Sequence, residues 1–163
     1  MLRERRVGFK ADEQMKGSHR FLVDQPRTRV RAGDELPFSF KITWGNPLLL
    51  SFLNPFSQEH GVAPLEGWAR VGGVVGEVPI KGAMELRYFK DATIRYAFEF
   101  STGGRRYRFT GKKQNIRPWN LHRTHTVCRG ELTDVTDDQQ LSEVTVRFGL
   151  RTMPQFLASF RLA

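Results

Sequence analysis

The chain has one cysteine in 163 residues, so Cys128 can form no internal disulfide and has no second thiolate with which to hold a metal. Packing and hydrogen bonds must hold the fold, and a reducing compartment is implied. No run of roughly 18 apolar residues occurs, and the N-terminal MLRERRVGFKADEQ lacks the apolar stretch of a signal peptide. The expectation is a soluble cytoplasmic protein without a transmembrane segment. No G-x-G-x-x-G precedes a helical pattern, and the glycines of RVGGVVGEV lack the Lys-Ser/Thr of a phosphate loop. No cofactor is therefore expected, and these glycines are assigned to a bulge or sharp bend. Neither an internal repeat nor a low-complexity segment is present.

Acidic residues are scarce beside basic ones, 17 Asp and Glu against 26 Lys and Arg, giving a net charge of +9. Such a balance suits anionic partners. The cations are scattered, however, and accompany neither an aromatic RNA-binding pattern nor a recognition helix, which disfavours nucleic acid.

Aromatic residues are plentiful, with 13 Phe, 3 Trp and 3 Tyr, and they fall at alternate positions. In LPFSFKITW, Leu36, Phe38, Phe40, Ile42 and Trp44 share one face of a strand. In IRYAFEF, Ile94, Tyr96, Phe98 and Phe100 do the same, with Arg95 and Glu99 on the other face. Gly103 and Gly104 then supply a tight connection to RRYRF, so a hairpin is predicted, with Arg106 and Arg108 on the outer face. Further strands are expected at 68–74, 84–88, 124–133 and 142–150. Short helices are expected after Asn46-Pro47 and from Pro154.

Strands with one apolar face each must curl or stack, and at this length an all-β antiparallel barrel of lipocalin-like (calycin) type is the reading. A single domain spans 1–163, with 1–12 as an N-terminal arm. Eight or so strands can enclose either a solid core or a small-ligand cavity.

The segment YRFTGKKQNIRPWNLHRTHTVCRGEL concentrates the polar chemistry of the chain. His122 and His125 are three apart, which on a strand sends them to opposite faces, so no metal site is assigned. A thiolate–imidazole pair of Cys128 with either histidine lacks an orienting partner and an oxyanion hole; a buried apolar cysteine is the simpler reading. No catalytic residue is assigned.

The order GFKADEQMKG, PFSFKITW, EGWARVGGVVGEVPIKGAMELRYF, IRYAFEFSTGGRRYRFTGKKQNI, PWNLHRTHTVCRGEL and LRTMPQFLASFRL resembles a bacterial accessory domain. That domain accompanies cholesterol-oxidase-like flavoproteins of the glucose-methanol-choline group and some α/β-hydrolase-like proteins. The resemblance rests on Glu13, Met15 and Gly17, on Tyr107, Phe109, Gly111 and Lys113, and on Trp119, Thr124 and Thr126. It implies a lipocalin-like barrel linked to lipid or steroid metabolism. This chain departs from it in lacking the flavin domain and in carrying His125 among the threonines.

Together these readings predict a non-enzymatic barrel binding a steroid-like or fatty-acyl-like molecule. Trp44, Trp68, Tyr88, Tyr96, Phe98, Trp119 and His122 are the candidate ligand-binding residues, and Lys112, Lys113 and Arg117 the candidate anion-binding residues at the mouth. A second reading is a packed barrel that docks on a separate flavin oxidoreductase or hydrolase. A third is a small cyclase or isomerase using Tyr96, His122 or Glu99, which needs an inward acid or base that alternation denies to Glu99. Homodimerisation is left open.

Overall fold

The computed structural model describes residues 8–47, 52–54, 56, 60–87, 92–114, 127–148 and 161–162. Eight strands run in a simple meander: β1 Phe9–Phe21, β2 Glu35–Asn46, β3 Val62–Val71, β4 Val75–Arg87, β5 Thr93–Thr102, β6 Arg105–Lys113, β7 Val127–Asp134 and β8 Gln139–Phe148. Each pairs antiparallel with the next, and β1 pairs with both β2 and β8, which closes the sheet into a barrel of calycin type. A two-residue strand, β9 Arg161–Leu162, adds to β1 beside Phe9 and Lys10. Closure leaves the long strands without a free edge.

Alternation decides what goes inside. Phe38, Phe40, Ile42 and Trp44 of β2 and Tyr96, Phe98 and Phe100 of β5 are buried, as their period of two requires. Phe38, Phe40, Phe98 and Phe109 meet with ring centroids 4.8 to 5.7 Å apart, forming one aromatic layer across the barrel. The β5–β6 hairpin turns on Gly103 and Gly104, at φ 58° and 74°, a conformation that glycine adopts without Cβ strain.

The barrel has two unlike ends. At one, β3–β4, β5–β6 and β7–β8 turn through residues 72–74, 103–104 and 135–138, and the β1–β2 connection is pinned by a Gln25–Val30 bridge and the Gly33 N–H donating to Phe21 O. Asp134 accepts there from Arg105 and from the Thr136 and Asp137 amides, and Arg105 also pairs with Asp137. At the other end β2, β4 and β6 finish, at Asn46, Arg87 and Lys113, and β3, β5 and β7 begin, at Val62, Thr93 and Val127.

Three expectations shift. Residues 9–12 belong to β1 and pair with β2, so they are not part of an arm. The strands expected at 68–74 and 84–88 are longer and earlier, because β3 and β4 take in Pro64 and Pro79. Those prolines sit where one neighbour's pairing has run out: β2–β3 pairing stops at Leu65 and β4–β5 pairing begins at Lys81. The expected first helix has helical backbone only at 52–53 among the described residues, and the C-terminal one lies outside them.

Candidate functional site

Strand β1 alternates Phe9, Ala11, Glu13, Met15 toward the interior, and so carries a carboxylate into the core. Strand β6 alternates Tyr107, Phe109, Gly111, Lys113 in the same way and brings an ammonium. The two meet. Lys113 Nζ lies 2.5 Å from Glu13 Oε1, with side-chain exposures of 6% and 5%. Tyr96, from β5 and 2% exposed, donates from Oη to Glu13 Oε1 at 3.0 Å and Oε2 at 3.1 Å.

The ammonium also stands over aromatic rings, 5.3 Å from the Tyr96 centroid and 5.7 Å from that of Phe148. A lysine has three N–H donors, and Glu13 Oε1 is the one hydrogen-bond acceptor that Lys113 Nζ meets among the described residues. The cluster is therefore neutral in total charge yet retains donor capacity toward the interior.

Burial, then the Glu13 charge and Cys128, holds the Tyr96 hydroxyl well above its ordinary range, so it remains a donor. Burial likewise pushes the Cys128 thiol up to about 12, outweighing the opposite pull of Lys113. Such a thiol is a packing group, not a nucleophile.

Toward the end where β2 finishes and β3 begins, the walls are Phe9, Ala11, Trp44, Ala63 and Leu65, and Phe52 packs on Phe9 at 4.8 Å between centroids. Phe9 in turn stands edge-on to Trp44 at 5.7 Å. The opposite end holds a second buried polar group, His19. Its Nε2 lies 2.8 Å from Gly72 O, which can only accept, so Nε2 carries the proton and Nδ1 accepts from Ser142 Oγ at 2.8 Å. Burial lowers its pKa, in keeping with this neutral form, and its role is to tie the β3–β4 turn to β1 and β8.

Of the residues singled out in the sequence, Trp44, Tyr96 and Phe98 point inward and Trp44 and Tyr96 lie toward the same end. Trp68 does not line the interior: it is 54% exposed, because its position in β3 has the outward phase. Lys112 and Lys113 cannot act together at a mouth, since neighbours on a strand face opposite ways; Lys112 is outside and Lys113 is buried against Glu13. Tyr88, Arg117, Trp119 and His122, with His125, lie outside the described residues. Glu99 is outward as expected, bound by Arg106 at 3.0 Å and Arg108 at 2.7 Å, which hold its carboxyl below the usual range.

Glu13 is the site residue that the sequence reading missed. Its signal was an acidic residue at an inward phase of an alternating strand, between the inward Ala11 and Met15.

The outer wall carries a groove of about 850 Å³ across β4 to β8, whose lining includes Tyr96 of the cluster and its β4 partner Met84. Its floor includes Ala83, Ala97 and Thr110, and charges of both signs flank it, among them Arg95, Lys112 and Glu131. Among the described residues no group of three or more His, Cys, Asp or Glu is placed to hold a metal ion, and no helix is long and apolar enough to cross a membrane.

These features define the class: a closed, eight-stranded calycin-type barrel with an aromatic interior into which a charge-compensated polar cluster is set. Comparison with family models, curated proteins and solved structures yields no match.

Proposed function

We propose that this barrel is a non-enzymatic carrier of an apolar or amphipathic small molecule, steroid-like or fatty-acyl-like, received at the end where Phe9, Trp44 and Phe52 lie. The observation that carries the reading is the Glu13–Lys113–Tyr96 cluster, an ion pair and a hydroxyl buried among the aromatic side chains of the interior. A buried ion pair contributes little net stability relative to well-packed apolar residues, so its presence in a core calls for another use. A few converging polar groups in an apolar chamber are what orients a lipid-like ligand. The resemblance to accessory domains of cholesterol-oxidase-like and hydrolase-like proteins supports a cytoplasmic role beside a lipid-processing enzyme. Native mass spectrometry of the purified protein, followed by organic extraction, tests the proposal: a stoichiometric lipid or sterol is the expected result. An empty barrel that stays empty after incubation with sterols and fatty acids would refute it.

A second reading, a packed barrel docking on an oxidoreductase or hydrolase, is favoured by the outer groove with its short-side-chain floor and charged flanks. Salt-sensitive association with such an enzyme, weakened by reversing the charge of Arg95 or Lys112, is its signature.

A further inference from the structure

The charge balance of the interior cluster selects between the two ligand classes. Resting on the carrier reading above, we infer that the ligand bears a neutral oxygen group, an alcohol or a ketone, and that ligands with an ionised headgroup are rejected. Glu13 already neutralises Lys113 at 2.5 Å, and both side chains are all but removed from solvent. A carboxylate or sulfate brought to this ammonium would leave one negative charge uncompensated in an apolar wall, beside Phe148 and Tyr96. A hydroxyl or carbonyl oxygen adds no charge. It accepts from the donors of Lys113 that Glu13 leaves over, and a hydroxyl can in addition donate to the Glu13 carboxylate.

The chemistry therefore fits a sterol, ketosteroid or fatty alcohol, and the fatty-acid anion is the disfavoured cargo. The scattered positive charge of the chain does not alter this, because Lys112, Arg95 and Arg129 border the outer groove and do not join the buried Glu13–Lys113 pair.

Matched ligands isolate the headgroup: a hydroxysteroid against its sulfate ester, which stays ionised at any working pH, and hexadecanol against hexadecanoate. Titrated into the full chain and read by native mass spectrometry, the neutral member of at least one pair should bind about a hundredfold more tightly than its anion. In Glu13→Gln the Lys113 charge is left without its partner, and the preference should reverse toward the anion. The double variant Glu13→Gln, Lys113→Met should bind both members of a pair alike. Tighter binding of the anions to the wild-type chain would overturn the inference while leaving a ligand-binding barrel. Failure of all four compounds to bind the wild-type chain would overturn the carrier reading, and the inference with it.

Discussion

Glu13 and Lys113 stand one hundred residues apart in the chain and form a 2.5 Å ion pair inside the barrel. Neither strand that delivers them is their neighbour's pairing partner: β1 runs between β2 and β8, and β6 between β5 and β7. The contact therefore crosses the interior, and its disruption leaves a charge in the core.

Lys113→Met should destabilise the protein by about 3–5 kcal/mol, since Glu13 would be left buried with Tyr96 as its remaining donor. Glu13→Leu with Lys113→Met should cost far less than the sum of the two single changes. Urea unfolding of the four proteins of this double-mutant cycle measures the coupling; additive effects would mean that the pair is not formed.

His19 makes stability depend on pH. Its folded pKa is lowered by burial, so the unfolded chain binds more protons between that value and about 6.5. The His19 contribution is present in full above about pH 6.5 and is lost as pH falls through the window below it. Urea midpoints from pH 4 to pH 8, roughly the span in which histidine titrates, should show this slope. The slope should be reduced in His19→Gln, and identical profiles for the two proteins would contradict the assignment.

Cys128 is fully buried and its thiol is pushed up to about 12. A disulfide reagent at pH 8, near the ordinary thiol pKa of about 8.5, should leave the native protein unlabelled and modify it on unfolding in guanidinium. Labelling of the folded chain at the rate of a free thiol would show that this wall is open.

Two glycines in one strand give a controlled test of barrel closure. A Cβ on Gly82 would stand 1.8 Å from Ala97 O, whereas one on Gly76 would meet nothing within 4 Å. Gly82→Ala should lower stability by about 1–3 kcal/mol or more, and Gly76→Ala should stay within about 0.5 kcal/mol. Equal effects would place β4 differently against β5.

The strands legible in the sequence were those whose inward set is uniformly apolar, such as Phe38, Phe40, Ile42 and Trp44. β1 was hidden because Glu13 and His19 occupy inward positions and break the hydrophobic alternation. The first half of β4 was hidden by Gly76, Pro79 and Gly82, residues that argue against a strand unless closure and pairing limits are known. The same cause hid the site. Period two assigns Lys113 to the face of Tyr107 and Phe109, but an ammonium there makes sense only when a carboxylate arrives from a distant strand, and that pairing is a property of the closed barrel. Trp68 was misplaced because β3, with exposed residues alternating with small Ala63 and Ala69, gives a weak indication of phase.

The most direct test of the central claim is methyl NMR of the protein labelled at methionine and alanine, titrated with a hydroxysteroid. Met15, in β1, is buried in the barrel, while Ala97 and Met84 both border the outer groove. A ligand held at the Glu13–Lys113–Tyr96 cluster should shift the Met15 methyl and leave Ala97 nearly unmoved. Saturable shifts at Ala97 with Met15 unchanged would contradict it and assign binding to the outer wall.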